Sequence, residues 1–473
     1  MANYGSRPFR PDSLSLSRCS SFFSVFAFAW SSFLTLSTRR RSLVVFSFLV
    51  GLVLTAIMKR EHLLWLLTTA AGAAPILEPF QGSEFEGLKF SLDGKFKISV
   101  FNDLHFGEAE DTLWGPEQDR KTVEVINKML DQESSDLVVL NGDLVTGENV
   151  SSDNGTHYID QIVGPLTQRG RPWASTYGNH DHSRTSSTAA ILKREKDLGD
   201  KLALTSSMLQ GNESKIGTSN YYLPVYSSTG GGNPTLVMLL WFFDSRGGRE
   251  FGKTQPDGKD VPMDEWVDQD VVNWYNAEQA AFREQFNRVI PSMAFVHIPT
   301  HASWAFQQKV LVDPNTEPGI NDEAIGHQGF DCDANGQNCH YGGHDIPLMK
   351  SLVATEGLIA VFSGHDHGVD WCAKWSATDG LPDTTPSTGN GIFLCFGRHT
   401  GYGGYGKWTR GARQIVIYEK DLGKKEAETW VRLETGEISG HVMLNETYGT
   451  DRYPAVPKTF SQGETSDDGA VGV

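Results

Sequence analysis

Five short apolar runs in this sequence each end on Asp, Asn or His, and that recurrence constrains the fold more than any bulk property. Phe96-Lys97-Ile98-Ser99-Val100-Phe101 leads into Asn102-Asp103-Leu104-His105, and Leu137-Val138-Val139-Leu140 into Asn141-Gly142-Asp143. Pro172-Trp173-Ala174-Ser175-Thr176 leads into Tyr177-Gly178-Asn179-His180-Asp181-His182. Met293-Ala294-Phe295-Val296 leads into His297, and Leu358-Ile359-Ala360-Val361-Phe362 into Gly364-His365-Asp366-His367. Runs of this length and apolarity read as buried strands, with the polar side chains presented at their carboxyl ends. Open α/β sheets place their sites there. A Gly-Asn pair alone is an ordinary turn. Five such ends imply convergence on one metal site, because carboxylate, amide and imidazole groups are metal donors.

Between the runs the pattern turns helical. Pro116 sits at a helix start, and Val123, Ile126, Met129 and Leu130 recur at helical spacing before the run at Leu137, which gives a βαβ beginning. Ile191, Leu198 and Leu202 predict a surface helix within Ser183 to Leu209. Thr235 to Phe243 predicts a strand closing on Asp244-Ser245-Arg246, and the Gly- and charge-rich stretch from Arg246 to Pro262 a loop. Met263 to Arg288 predicts a helix with Trp266, Val267, Trp274 and Phe282 turned inward. Thr300 to Gly343 has no period and reads as a long lid beside the site. Runs at Ile392 to Phe396, Gln414 to Tyr418 and Thr429 to Leu433 predict a second sheet.

The first residues follow other rules. Met58-Lys59-Arg60-Glu61-His62, the apolar run Leu63 to Leu67 and the small residues Ala70 to Ala74 have the grammar of a signal peptide. We therefore expect residues 1–57 to be a non-native extension, 58–74 the signal, 75–455 one catalytic domain and 456–473 a flexible tail. The alternative is a type II membrane anchor through residues 42–57, a run shorter than the roughly 20 residues a spanning helix needs. After cleavage no stable membrane span is expected in the mature chain. Of five cysteines, Cys19 precedes that domain, and Cys332, Cys339, Cys372 and Cys395 remain, with three possible pairings. Cys332 and Cys339 flank a turn-rich loop, so a local bridge with Cys372–Cys395 as the second is the simplest choice. A four-thiolate zinc site is the alternative, without the usual Cys-x-x-Cys spacing. Sequons at Asn149, Asn154, Asn212 and Asn445 fit a secreted glycoprotein. The formal charge of −17 argues against a nucleic-acid-binding face.

Asp103-x-His105, Gly142-Asp143, Gly178-Asn179-His180-Asp181, His297 and Gly364-His365-x-His367 resemble, in order and kind, the signature of the calcineurin-like metallophosphoesterases. The resemblance spans roughly Phe96 to Tyr418. It implies an α/β fold, a four-layer α/β/β/α sandwich with the metal site at the carboxyl ends of strands. It implies two metal ions bridged by Asp143, with Asp103, His105 and His367 completing one shell and Asn179, His297 and His365 the other. Mixed oxygen and nitrogen donors suit divalent or trivalent Mn, Fe or Zn and not Ca. Such a pair hydrolyses a phosphate ester by supplying a bridging hydroxide and neutralising the ester's charge. His180 is then the general acid, and Asp181 orients it or supports the ligands.

Two departures matter. Purple acid phosphatases, a branch of that superfamily, carry Asp-x-Gly in the first block and Tyr three residues after the bridging Asp. Here those positions are His105 and Thr146, so a colourless site is expected. The run from Phe396 to Gly406 nevertheless looks like that of plant and fungal purple-acid-phosphatase-like proteins, and it offers Arg398 and His399 as groups to grip the substrate phosphate. His182 and His301 read as supporting groups, and His157, His327, His340, His344 and His441 as surface or loop residues. The expected activity is a secreted phosphatase acting on phosphate monoesters. A phosphodiesterase on the same scaffold and a catalytically silent binding protein are the alternatives.

Overall fold

Alternation along the strands decides how the layers stack. The computed structural model describes residues 87–151, 155–229, 234–333 and 338–461, all within one compact unit, Glu78–Val473. The expectations for residues 1–57 and 58–74, and for most of the 456–473 tail, fall outside the described residues. In chain order the strands are β1 (Lys95–Phe101), β2 (Leu137–Asn141), β3 (Trp173–Thr176), β4 (Tyr221–Tyr226), β5 (Leu236–Phe243), β6 (Arg249–Thr254), β7 (Asp260–Pro262), β8 (Ser292–Val296), β9 (Phe330–Asp331), β10 (His340–Tyr341), β11 (Leu358–Ser363), β12 (Cys372–Lys374), β13 (Phe393–Phe396), β14 (Gly411–Tyr418), β15 (Ala427–Leu433) and β16 (Ile438–Leu444). The longer helices are α1 (Trp114–Gln132), α2 (His157–Gln168), α3 (Thr188–Gly199), α4 (Gln269–Phe286) and α5 (Ile346–Ala354).

Two six-stranded mixed sheets result, ordered β16-β15-β14-β1-β2-β3 and β12-β13-β11-β8-β5-β4. β1, β2 and β3 run parallel, as do β5, β8, β11 and β13, so their carboxyl ends gather on one edge of each sheet. Phe96, Ile98, Val100, Leu137 and Val139 of the first sheet share one buried cluster with Leu240, Phe242, Met293, Phe295 and Phe362 of the second. Each such side chain contributes about 1.5–3 kcal/mol by leaving water. Val138, Leu140 and Trp173, on the opposite face of the first sheet, pack with Ile126 and Met129 of α1, Ile162 of α2 and Ile191 of α3. On the outer face of the second sheet Trp241 and Phe243 meet Tyr275 of α4 at ring centroids 4.8 and 5.0 Å away. Tyr275 and Asn276 of α4 bond Thr355 and Ser351, which tie α5 into that layer. Helices, sheet, sheet and helices make the four-layer α/β/β/α sandwich.

Four expectations need correction. The stretch from Arg246 to Pro262, expected as a loop, holds the antiparallel β6–β7 pair. The strands after His367 do not build a sheet of their own. β14 pairs antiparallel with β1, Lys95 opposite Tyr418, so β14–β16 extend the first sheet, while β13 lies parallel to β11 in the second. The helix expected over Met263 to Arg288 spans only Gln269–Phe286. The Asp268 side chain caps it by accepting from Asp270 N–H, and Asn287 ends it at φ 48°. Trp266 therefore lies outside the helix and stacks on His344 at 4.3 Å. The stretch expected to be an unstructured lid holds a helical turn at His301–Ala305, a wider turn at Phe306–Val310 and the β9–β10 pair.

The disulfides are Cys332–Cys339 and Cys372–Cys395, the second joining directly opposed residues of β12 and β13. The start of the tail is docked: Thr409 N–H donates to the Thr459 carbonyl, and Phe460 bridges Trp408. Among the described residues no helix is long and apolar enough to cross a membrane.

Candidate metal centre

The strand ends deliver their side chains by turning sharply. Asp103, His105, Asp143 and His365 have φ of 54°, 49°, 51° and 74°, a left-handed backbone that non-glycine residues adopt at a cost. Glycines give the room. A Cβ on Gly142 would fall 2.3 Å from His297 Nδ1, and one on Gly178 would fall 2.3 Å from Asp143 Oδ1.

Two triads result. In Asp103, His105 and His367, and again in Asp143, His297 and His365, the donor atoms lie within 4.8 Å of one another. Asp143 Oδ2 stands between the two, 2.9 Å from His297 Nε2 and 3.8 Å from His105 Nε2. His297 Nδ1 donates to the Asn141 carbonyl at 2.9 Å, and His367 Nδ1 donates to the Tyr405 carbonyl at 2.8 Å. Those bonds leave each Nε2 as the donor nitrogen. His105 Nδ1 meets the Thr146 hydroxyl at 3.1 Å.

The triads fit metal ions on their own evidence of unmet bonding. Asn179 Oδ1, next in the chain to the His180 N–H that bonds Asp143, is buried with no hydrogen-bond partner, and His297 Nε2, with Nδ1 committed to the Asn141 carbonyl, faces the Asp143 carboxylate at 2.9 Å. Buried polar atoms are ordinarily bonded, so an orphaned amide oxygen in that loop marks a place for a cation. The charges agree. Burial pushes Asp143 up, but the adjacent His297 and His180 outweigh it and hold its carboxyl well below the ordinary range. Burial would lower His297, yet Asp143 and then Asp103 raise it to about 10. Asp103 is pushed up to about 7 by burial, with His297 pulling down and Asp143 pushing up. Burial, followed by neighbouring imidazolium charge, holds His105 and His365 near 3, in the neutral form that binds metal.

His180 is grouped with His105 and Asp143, and its ring meets His105 edge to face at 4.8 Å. Its backbone N–H donates to Asp143 Oδ1 at 2.8 Å. Of the two roles expected for Asp181, orienting this imidazole or supporting the ligands, its hydrogen bonds match the second. Asp181 Oδ1 accepts from the Leu144 and Val145 N–H groups, and Oδ2 accepts from Gly178 N–H, so its carboxylate braces the β2 and β3 loops. The group that meets the His180 ring is Glu148, whose Oε1 lies 2.6 Å from Nδ1. Nothing in the sequence pattern singles out Glu148, because it lies in a loop with no apolar period and outside the motif blocks.

Arg398 and His399, expected to grip the substrate phosphate, are both buried and bonded within the protein. Arg398 is 1% exposed, with Nη1 2.9 Å from Asp370 Oδ2 and Nε donating to the Thr409 carbonyl. His399 packs behind His367 at 3.8 Å between ring centroids and bonds the Gly403 carbonyl through Nε2. His182 is paired to Asp244 at 2.9 Å. His301 stacks on Tyr341 and bonds His327 and the Asp383 carbonyl. His327, expected at the surface or in a loop, lies in a loop and is buried there.

Comparison with known proteins gives a consistent picture. The sequence model of the calcineurin-like phosphoesterase family matches residues 96–369. Probable inactive purple acid phosphatase 29 of Arabidopsis thaliana is 25% identical over 388 residues, 74% of this chain and 86% of that protein. Phosphatase DCR2 of Saccharomyces cerevisiae is 28% identical over 348 residues, 72% of this chain and 54% of that protein. Among solved structures, a dimetal phosphatase from Danio rerio aligns over 74% of this chain and 98% of its own, with 12% identity and a TM-score of 0.41.

Proposed function

This chain belongs to the calcineurin-like phosphoesterase family, and from that premise we propose that it is a dinuclear metal phosphatase of the secretory pathway acting on phosphate monoesters. The observation that carries the proposal is the position of Asp143 Oδ2 between two imidazole-bearing triads, with Asn179 Oδ1 buried and unpartnered in the adjoining loop. Asp103, His105, His367 and Asp143 would hold one ion, and Asp143, Asn179, His297 and His365 the other. The oxygen and nitrogen donors suit Mn, Fe or Zn. Bound there, two ions supply Lewis acidity and lower the pKa of a water nucleophile.

The protein's own groups do the rest. The Asn141 and Tyr405 carbonyls fix two histidine tautomers. Thr146, where purple acid phosphatases carry tyrosine, supports His105 through its hydroxyl. His180 protonates the leaving oxygen, since it lies beside the triads and its side chain keeps 33% exposure, enough to recover a proton from solvent. The Arabidopsis relatives are named probable inactive. In this chain all seven ligand positions and His180 carry metal-competent or acid-competent side chains, which supports activity. Two disulfides, the sequons and the leader-like stretch at 58–74 support export.

The test combines elemental analysis with rates on nitrophenyl phosphate, its diester and an alkyl phosphate. Two transition-metal ions per chain, no strong visible absorption and faster monoester turnover are expected. His180→Ala should keep both ions and lose about 10²–10⁴-fold on the alkyl phosphate, but far less on the nitrophenyl ester, whose leaving group needs no proton. His297→Ala should lose metal and both activities alike. Faster diester turnover would convert the reading to a phosphodiesterase, and metal without turnover would make the protein a silent binder.

A further inference from the structure

The loop after β2 does more than carry Asp143. Over eight residues, Gly142 to Asn149, it touches the centre four times. Asp143 joins the triads, the Thr146 hydroxyl meets His105 Nδ1, Gly147 N–H donates to the His180 carbonyl at 2.9 Å, and Glu148 Oε1 lies 2.6 Å from His180 Nδ1. The last two contacts are adjacent in sequence. The short 3-10 turn Gly147–Asn149 is therefore stitched to the His180 backbone at one residue and to its ring at the next. Gly147 is required for the stitch, because a Cβ there would fall 2.6 Å from the His180 carbonyl oxygen. Thr185 Oγ1 holds the same turn through the Gly147 and Val150 carbonyls.

We propose that Glu148 is the positioning residue for His180, fixing its Nδ1–H and so presenting Nε2 to the leaving oxygen of the phosphate ester. The proposal rests on the general-acid reading of His180 given above. In the step, the oxygen of a water molecule, its proton released to solvent, bonds to phosphorus as the ester P–O bond breaks; the electrons of the broken bond pass to the leaving oxygen and the Nε2 proton moves to that oxygen. Glu148 keeps its bond to Nδ1–H. The neutral imidazole is then reprotonated from water, which reaches a side chain 33% exposed beside a Glu148 side chain 41% exposed. Asp181, tied to three backbone N–H groups, has no oxygen bonded to that ring.

The experiment uses the full metal-loaded protein and the variants Glu148→Ala, Glu148→Gln, His180→Ala and the double Glu148→Ala/His180→Ala. Glu148→Ala should keep both ions and its melting temperature, since the turn is held by backbone bonds. Its kcat on an alkyl phosphate should fall about 10–100-fold with KM unchanged, the usual effect of removing a group that orients a catalytic imidazole. On nitrophenyl phosphate the loss should stay within about 3-fold, for want of need of an acid. Glu148→Gln, whose amide oxygen still accepts from Nδ1–H, should regain most of the loss. In the His180→Ala background Glu148→Ala should add nothing. One readout needs no turnover: ¹⁵N NMR of histidine-labelled protein should show a slowly exchanging Nδ1–H for His180 that Glu148→Ala abolishes. Equal slowing of both substrates, metal loss, full additivity with His180→Ala, or an Nδ1–H signal indifferent to Glu148 would each overturn the proposal. If His180→Ala slows both substrates alike, the general-acid reading falls instead, and the NMR result still decides whether Glu148 holds the ring.

Discussion

Arg398→Ala separates two uses of one arginine. As a phosphate grip, its loss would weaken substrate binding; as a buried strut, it would weaken the fold. The structure sets the magnitude. Arg398 and Asp370 are each about 1% exposed, Nη1 lies 2.9 Å from Oδ2, and Asp370 Oδ1 also accepts from Ile320 N–H. Removing the guanidinium leaves buried Asp370 without its ion-pair partner, compensated only in part by the nearby Arg413, which costs about 3–5 kcal/mol. An unfolding entropy of roughly 2.1 cal/mol/K per residue gives about 0.8 kcal/mol/K for a domain near 380 residues, so Tm should fall by about 4–6 °C. The assay is calorimetry at saturating metal, with kcat and KM on nitrophenyl phosphate measured well below Tm. KM should stay within about 3-fold. The double variant Asp370→Asn/Arg398→Met removes both charges and should recover more than half of the lost stability. A Tm unchanged within about 1 °C together with a roughly 10-fold higher KM would refute the strut and restore the grip.

Two other outcomes follow from local geometry. Gly178→Ala places a Cβ 2.3 Å from Asp143 Oδ1 and 2.6 Å from the His297 ring, so the purified variant should retain less than half of its metal by elemental analysis while staying folded by circular dichroism. Asp119, buried and accepting from Gly107 N–H, is pushed by burial up to about 6. A carboxyl whose folded pKa lies above its unfolded value costs nothing below the unfolded value, and its penalty is complete once pH passes the folded one. Asp119→Asn should therefore gain on the native chain in urea midpoint between about pH 4 and pH 6 and hold a constant lead above that; a constant gap across the range would refute the assignment.

How much the sequence disclosed depends on whether a signal is local. The apolar runs ending in Asp103, Asp143, Asn179, His297 and His365 were legible because a strand buried on both faces writes a continuous apolar stretch, and a donor beyond it needs no partner nearby in sequence. The assignment of β14–β16 to the first sheet was not legible, since strand order depends on which edge a returning chain finds, here the free edge of β1. Arg398 misled for a related reason. An arginine in a glycine-rich loop looks exposed, and its partner Asp370 belongs to the segment after β11. Asp181 follows His180 directly and reads as its orienting partner or as a support for the ligands; its hydrogen bonds match the second role. Adjacent side chains on a tight turn diverge, so Glu148, thirty-two residues away in sequence, takes the first.

The glycines of the motif blocks now have a physical account that turn propensity does not supply. The residues that need side chains for the site, Asp103, His105, Asp143 and His365, themselves take left-handed backbone, at a cost of order 1–3 kcal/mol each. Gly142, Gly178 and Gly364 stand beside ligands where a Cβ would meet His297, Asp143 or Asn102 within 2.4 Å. The candidate ligands therefore bear the strain and glycines clear the space. The strain is held by bonds that run between the loops: Asp103 N–H to the Gly142 carbonyl, Leu104 and His105 N–H to the Asp143 carbonyl, His365 N–H to Asp103 Oδ1 and His180 N–H to Asp143 Oδ1. Each strand end is fastened by the next one's backbone or ligand carboxylate. A donor set built this way has its geometry imposed by two packed sheets, so ion binding need not order the loops, and the binding energy is left for the chemistry of the ester.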